Sequence, residues 1–186
     1  PGDDLFFLTH ERLGELGFTG YEVSSFARSA DDRSRHNLAT WAHKPYLGVG
    51  PGAHSYVPAY GRGREDGQGR EDGQGREDRG GRRRWNLPDL DGWLRALEAG
   101  GIPPFEEEIL SHSQVLLERI MLGLRCTEGI DLQACERDCG AAMTSCVRER
   151  AVRLAEQGQV VMDGTGIVPT LDGMALADRL AIELCG

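Results

Sequence analysis

Residues 36–55 read HNLATWAHKPYLGVGPGAHS, and this stretch decides how the rest of the chain is interpreted. It contains His36, His43 and His54, three of the 5 histidines, together with a tryptophan and closely spaced glycines. Imidazole offers a neutral nitrogen lone pair near neutral pH, and glycine lets the backbone come close to a ligand. The stretch is therefore typical of a site for a flat cofactor or a metal ion, and residue types alone go no further.

The segment upstream predicts one helix and one strand. Residues 3–16 carry leucines close to helical spacing, and Gly17 is placed to end that helix. The run YEVSSFA at 21–27 predicts a strand. Its two faces carry different residues, Tyr21, Val23 and Ser25 on one side and Glu22, Ser24 and Phe26 on the other. Because a lone helix and strand cannot bury a parallel sheet, residues 1–57 are expected to be the end of a larger α/β domain.

The glycines of GVGPGA also match a relaxed dinucleotide-binding fingerprint, G-x-G-x-x-A. That fingerprint requires a helix to open at the third position within a βαβ unit. Pro51 lies inside the turn, and the following HSYVPAYGRG does not predict a helix. We therefore reject a nucleotide-binding turn here.

Composition excludes several classes of function. The formal net charge of -9 argues against general affinity for nucleic acid or anionic membrane. No apolar run approaches the roughly 18 residues that would span a bilayer, and no signal-like start is present. An odd number of cysteines at irregular spacing indicates a reducing compartment, and Cys135, Cys139 and Cys146 are interpreted as helix-packing residues rather than metal ligands.

Residues 64–81 are an internal repeat, REDGQG, REDGQG and REDRGG. A glycine-rich unit without apolar residues cannot bury surface, so residues 58–84 are predicted to be a disordered insertion. No function is assigned to it.

The remainder predicts a helical domain with one hairpin. Residues 85–105 are expected to hold a connecting helix, with Leu90, Trp93, Leu94 and Leu97 at helical spacing. Within 106–186, Ser111 and Gln114 form a capping box, helices follow near 131–138 and 143–157, and Asp163-Gly164 marks a hairpin turn. Two further sets are expected in the core, Leu117, Ile120, Met121 and Leu124 in the first helix and Ala177, Leu180, Ala181 and Leu184 in a final helix capped by Thr170. This plan is winged-helix-like, but 14 acids against 7 arginines over residues 102–186 argue against duplex DNA.

In this order, YEVSSFAR at 21–28, His36-Asn37 followed by Trp41, and YLGVGPGAHS at 46–55 resemble a specific family. It is the HemW-type haem chaperones within the radical SAM oxygen-independent coproporphyrinogen III oxidases (HemN-like). LLERIMLGLRCTEGIDL resembles the opening of that family's C-terminal domain. Ser25 and Thr40 depart from the pattern, where the family has Asn and Tyr. The resemblance implies the tail of a partial TIM-type (βα) barrel followed by a winged-helix-like C-terminal domain, an α/β plus α+β fold.

The resemblance also implies site residues. His36 would ligate haem iron, Asn37 would orient its ring, Trp41 would offer a flat face and Arg35 would pair with propionates. A second set would face S-adenosylmethionine in the family: Glu22, Ser24, Gly50, Gly52, Ala53 and His54. The alternatives are a surface histidine, a core strand with an internally bonded acid, and a tight turn packed on its own domain. The family's Cys-x3-Cys-x2-Cys motif for a [4Fe–4S] cluster is absent from this sequence.

The resemblance implies a haem-binding chaperone with a haem-accepting partner protein, in the cytoplasm or, in a eukaryotic source, in a mitochondrion or plastid. The alternatives are a fragment of a coproporphyrinogen III oxidase, a non-catalytic winged-helix interaction module, and an inert gene fragment with no stable fold. Without the cluster motif, catalysis by this chain alone is not expected.

Overall fold

The computed structural model describes residues 2–59 and 80–186, so most of the predicted disordered insertion lies outside the described residues. The chain forms two compact units. The first unit is discontinuous and comprises Pro1–His43 and Leu116–Gly186, and the second unit comprises Lys44–Val115. This division differs from the predicted boundaries at 57, 84 and 105.

The first unit begins with helix α1, Gly2–Glu15, and Gly17 follows it with a φ of 79°. Both agree with the predicted helix and its glycine stop. The leucines of α1 are less buried than helical spacing suggests: Leu5 and Leu8 are 65% and 45% exposed.

The predicted single strand at 21–27 is wrong. The segment is a tight antiparallel hairpin of β1, Thr19–Glu22, and β2, Ser25–Ala27. The backbone N–H and hydroxyl of Ser24 donate to the Glu22 carboxylate at 3.3 Å and so close the turn. A register shift between Gly20 and Glu22 breaks the alternation, which explains why Tyr21 and Glu22 are both buried. A short 3-10 turn, Ala30–Asp32, leads into helix α2, Arg35–Trp41.

The second unit contains a three-stranded antiparallel sheet in the order β3-β4-β5. Its strands are β3, His54–Pro58, β4, Gly81–Asn86, and β5, Phe105–Leu110, and helix α3, Leu90–Glu98, lies between the last two in sequence. The predicted insertion at 58–84 extends too far at its C-terminal end, because residues 81–84 belong to strand β4 of the sheet. Arg83 and Arg84 stand opposite Glu108 and Glu107 of β5, and such cross-strand charge pairs favour this register.

Two apolar segments of the second unit are exposed, contrary to expectation. Helix α3 forms as predicted, but Leu90, Leu94 and Leu97 are 58%, 43% and 45% exposed. Leu47 and Val49, the apolar residues of the YLGV run in the opening stretch, are loop residues 83% and 81% exposed.

The first unit resumes within helix α4, His112–Gly123. The predicted capping box is present, since the Ser111 N–H donates to Gln114 Oε1 at 2.8 Å and the Gln114 N–H donates to Ser111 Oγ at 3.2 Å. The buried stripe is centred on Leu116, Ile120 and Leu124, at i, i+4 and i+8. Leu117, predicted to be buried, is therefore 37% exposed.

The rest of the first unit follows the winged-helix order. Its elements are β6, Ile130–Asp131, α5, Leu132–Cys139, α6, Ala141–Glu156, β7, Val160–Met162, and β8, Gly166–Pro169. The sheet order is β6-β8-β7, and Ile167 of the central strand is 0% exposed. The predicted final helix is divided at Leu176 into α7, Leu171–Ala175, and α8, Ala177–Cys185. Thr170 caps α7, and Ala177, Leu180, Ala181 and Leu184 are buried as predicted.

Within the described ranges, no helix is long and apolar enough to cross a bilayer.

Candidate functional site

Helix α2 carries all four predicted haem-binding residues, and its N-terminal end is fixed by two hydroxyl groups. The Ser34 side chain accepts a hydrogen bond from the Asn37 N–H at 3.3 Å, which makes Ser34 the N-cap. The Ser34 N–H in turn donates to the phenolic oxygen of Tyr21 at 3.1 Å. Tyr21 is 3% exposed in strand β1, so the start of α2 is tied to a buried side chain.

The C-terminal end of α2 is fixed by a histidine in the left-handed conformation. His43 has a φ of 52°, and its N–H donates to the Thr40 carbonyl at 3.0 Å. Its side chain is 7% exposed, and Nε2 lies 3.0 Å from Oε2 of Glu118 on helix α4. The seven-residue helix is thus held at both ends by polar contacts to the rest of its own unit.

The outer face of α2 presents Arg35, His36 and Thr40, which are all exposed. The Thr40 hydroxyl donates to the His36 carbonyl at 3.1 Å, one turn along the helix. In the part of the chain that the structure describes, the His36 imidazole has no hydrogen bond or ion pair. Its ring nitrogens are therefore available to a ligand from solvent.

Asn37 and Trp41 lie on the other side of α2 and are half-buried. At 3.6 residues per turn, Trp41 is rotated about 140° from His36 around the helix axis. The Trp41 indole nitrogen is buried and has no hydrogen-bond partner among residues 2–59 and 80–186. The Trp41 indole and the His36 imidazole therefore lie on different faces of α2. No hydrogen bond joins the described side chains of Asn37 and His36.

Glu22 and Ser24 of the predicted cofactor set lie together in the hairpin of the first unit. Glu22 is 1% exposed, and its carboxylate accepts from the N–H and hydroxyl of Ser24. Backbone contacts with the segment after α4 enclose it further, because the Val23 N–H donates to the Arg125 carbonyl at 2.9 Å and Glu22 pairs with Cys126. This is the environment of an internally bonded acid.

Gly50, Gly52, Ala53 and His54 belong to the second unit, separately from the hairpin. The loop has positive φ at Gly50 and Gly52, 105° and 71°. Asn86 at the end of β4 clamps it: its side-chain amide donates to the Gly50 carbonyl at 2.8 Å, and its N–H donates to the Ala53 carbonyl at 3.0 Å. His54 stacks on Trp85 with ring centroids 5.9 Å apart. A strand, β3, follows the loop, which agrees with rejecting a dinucleotide-binding turn.

The cysteines of helix α5 are buried thiols. Burial raises the pKa of Cys135 to about 12 and that of Cys139 to about 11. Both groups are therefore protonated at neutral pH, whereas metals bind the thiolate. Among the residues with described positions, no cluster of three or more His, Cys, Asp or Glu side chains is arranged to hold a metal ion.

Sequence reasoning missed the residues that fix the site's geometry. The sequence alone did not indicate the contacts that fix the ends of α2 and the glycine loop, because the partners are distant in sequence. These contacts are made by Tyr21, His43, Glu118 and Asn86. His43 and Glu118 are 75 positions apart. Asn86 lies in the RRRWN segment after the repeat, and an asparagine at the end of a strand is a weak local signal.

The fold defines the class of protein. A family model described as the HemN C-terminal domain matches residues 110–176, which cover α4 to α7 almost completely. The solved structure of the coproporphyrinogen III oxidase HemN from Escherichia coli superposes with a TM-score of 0.58 at 16% identity, covering 97% of this chain and 40% of that one. The chain thus has the mixed α/β fold of the C-terminal portion of a radical SAM protein.

Curated relatives specify the family. The zebrafish "Radical S-adenosyl methionine domain-containing protein 1, mitochondrial" is 31% identical over 97% of this chain. The "Heme chaperone HemW" of Mycobacterium tuberculosis is 28% identical over 100% of it. This chain belongs to the HemW/HemN-like radical SAM family and corresponds to its C-terminal portion. It spans 39% and 41% of the length of these two relatives.

Proposed function

We propose that this chain carries a haem-binding element of a HemW-like haem chaperone, with His36 as the axial ligand. The observation that carries the proposal is the state of the His36 ring, which is exposed on α2 and unbonded among the described residues. Neutral imidazole is a common axial ligand of haem iron. The relatives named "Heme chaperone HemW" support the haem-related part of the proposal.

The neighbours of His36 define what else α2 would contribute. Arg35 is exposed beside it, and a guanidinium group can pair with a porphyrin propionate in a bidentate manner. Thr40 lies one turn away and offers a small surface where the family has a tyrosine, so the ring of the haem would be held with less aromatic contact. Asn37 and Trp41 are half-buried and would support the helix more than they touch the cargo. Haem is the cargo in this proposal, and the protein's task is to bind it, orient it and release it to an acceptor protein.

The cofactor part of the family's chemistry is a further proposal for the full-length protein. There S-adenosylmethionine and a [4Fe–4S] cluster would supply radical chemistry. Of the residues predicted to face that cofactor, Glu22 is buried and internally bonded, and the Gly50–His54 loop is clamped by Asn86. In this chain we therefore assign these residues to the architecture around a cofactor site rather than to direct contact with the cofactor.

The test is a haemin titration of the wild-type chain, His36→Ala and His54→Ala, followed by the Soret band. His54 is the matched control, because it is also an exposed histidine but stacks on Trp85 in the second unit. We expect a saturable Soret shift that is lost in His36→Ala and kept in His54→Ala, with circular dichroism unchanged in both. A shift that survives His36→Ala unchanged would remove His36 as the ligand.

The second candidate is a fragment of an oxygen-independent coproporphyrinogen III oxidase. The structural similarity to HemN favours it, but at 16% identity that similarity supports the fold alone. The two candidates separate in the titration. A chaperone element binds haemin through His36, whereas an oxidase fragment would bind no haem through this residue.

The relatives include mitochondrial and bacterial proteins, so we place the full-length protein in a mitochondrion or in bacterial cytoplasm.

A further inference from the structure

We propose that His43, through its hydrogen bond to Glu118, is a positioning residue for haem coordination by His36. This inference rests on the haem-binding role proposed above and adds to it a contact outside the His-Asn motif. The contact joins the residue after the α2 C-cap to the middle of helix α4, and both belong to the first unit.

The pair has the geometry of a strong, shielded hydrogen bond. The two side chains are 7% and 24% exposed, and His43 Nε2 lies 3.0 Å from Glu118 Oε2. A carboxylate accepts hydrogen bonds and does not donate them, so His43 Nε2 carries the proton. A hydrogen bond to a charged acceptor in a site of low dielectric is stronger and more directional than one in water.

The backbone of His43 provides an independent reason to assign a role to the side chain. Its φ of 52° lies in the left-handed region, where glycine is the usual residue after a helix. Histidine enters this region more readily than most side chains, but a non-glycine residue there is still uncommon, and such positions collect at functional sites. Here the left-handed turn directs the imidazole from the end of α2 to α4, which glycine could not do.

The consequence for His36 follows from the length of the helix. Helix α2 has seven residues, and so short a helix is held by its tertiary contacts rather than by its own hydrogen bonds. Tyr21 fixes the first turn and His43 fixes the last. The His36 ring makes no hydrogen bond or ion pair with the described residues, so its position depends on these two contacts.

The matched variants are His43→Gly, His43→Gln and Lys44→Gly. His43→Gly removes the imidazole and at the same time favours the left-handed φ, so it separates loss of the contact from backbone strain. His43→Gln restores a side-chain N–H that can reach a carboxylate. Lys44→Gly is the control, because it adds the same backbone freedom at the adjacent exposed residue.

The measurements are haemin affinity, the visible spectrum of the bound ferric haem, and hydrogen exchange of the α2 amides. For His43→Gly we expect haemin binding weakened about 10-fold, the lower end of the cost of losing a group bonded directly to a metal ligand, because His43 acts on His36 only through the helix. We also expect a changed spin-state band pattern and faster exchange at Ala42, whose N–H bonds to the Leu38 carbonyl in the last turn. His43→Gln should recover most of the affinity and the wild-type spectrum, and Lys44→Gly should match wild type.

The outcomes distinguish this inference from the proposed function. If the wild-type Soret shift depends on His36 but His43→Gly has wild-type affinity and spectrum, the positioning role is overturned and the haem site stands. If the wild-type shift does not depend on His36, both are overturned. If His43→Gly and Lys44→Gly are weakened equally, general flexibility is the cause and the positioning role is again refuted.

Discussion

Tyr21→Phe tests the anchor at the start of α2. The substitution keeps the buried aromatic ring and removes only the phenolic oxygen that accepts from the Ser34 N–H at 3.1 Å. Because Tyr21 is 3% exposed, the ring continues to bury the same apolar surface, and the change is confined to one hydrogen bond. Loss of a partner for a buried donor costs about 1–3 kcal/mol. Ser34 is half-buried, so water can replace part of the contact and we expect about 1 kcal/mol.

A loss of about 1 kcal/mol raises the equilibrium constant for opening the first turn of α2 about fivefold. The assay is native-state hydrogen exchange at Asn37 and Leu38, whose N–H groups bond to Ser34 Oγ and the Ser34 carbonyl. Tyr46→Phe is the control, because the Tyr46 side chain lies in the second unit and the residue is 41% exposed. Exchange at Asn37 and Leu38 that stays at wild-type rates in Tyr21→Phe would refute the reasoning.

Three further predictions follow from the packing. Ile167→Ala empties a position that is 0% exposed and should lower the free energy of unfolding in urea by about 2–5 kcal/mol, whereas Val161→Ala, at 56% exposure, should stay within about 0.5 kcal/mol. Gly48→Ala places a Cβ 2.1 Å from a backbone carbonyl oxygen across the loop, so the second unit should lose thermal stability, and an unchanged melting curve would contradict this packing. Burial raises the pKa of Cys135 to about 12, so iodoacetamide at pH 8 should label exposed Cys146 first and Cys135 only on unfolding. The pKa of the Cys135 thiol is higher in the folded state than in the unfolded state. Burial of this thiol therefore stabilises the fold fully below the ordinary thiol pKa of about 8.5, and that stabilisation is lost as the pH rises towards 12.

The parts of the fold that could be predicted are those with a local physical cause. Gly17 ends α1, Ser111 caps α4 and Thr170 caps α7, because a glycine or a hydroxyl satisfies the orphan groups of a helix end within a few residues. The hairpin between β7 and β8 follows in the same way, since Asp163 accepts from the N–H groups of Thr165 and Gly166 in the turn.

The parts that could not be predicted depend on a distant partner. Alternation at 21–27 suggested one strand, but the Glu22–Ser24 bonds fold the segment back on itself. The run of arginines before Trp85 suggested disorder, yet β4 is paired on both edges, and the glutamates of β5 stand opposite its arginines. Helical spacing in α3 predicted the helix correctly but not the exposure of its leucines.

The same distinction between local causes and distant partners applies to the candidate site. The sequence indicated His36 and its neighbours through the resemblance to a family motif, and the structure gives that histidine an exposed ring. It did not indicate which side of α2 each residue would occupy, since that depends on Tyr21 and Glu118 contacting the helix ends. Trp41 is half-buried on the other side of the helix from His36, which the motif alone did not indicate.

The contact between His43 and Glu118 also spans the break in the first unit, which the chain leaves after residue 43 and re-enters at residue 116. During synthesis on the ribosome, the hairpin and α2 emerge long before the segment that completes their unit. Until residues 125–127 are made, the backbone groups of Tyr21 and Val23 lack the hydrogen-bond partners that they have in the folded unit. Such a nascent chain exposes a strand edge that a chaperone or a neighbouring polypeptide can capture. Conversely, because the two sides of the break are joined by backbone hydrogen bonds and by the His43–Glu118 and Arg33–Glu128 pairs, a short glycine bridge from 43 to 116 should yield a minimal, independently folding version of this unit.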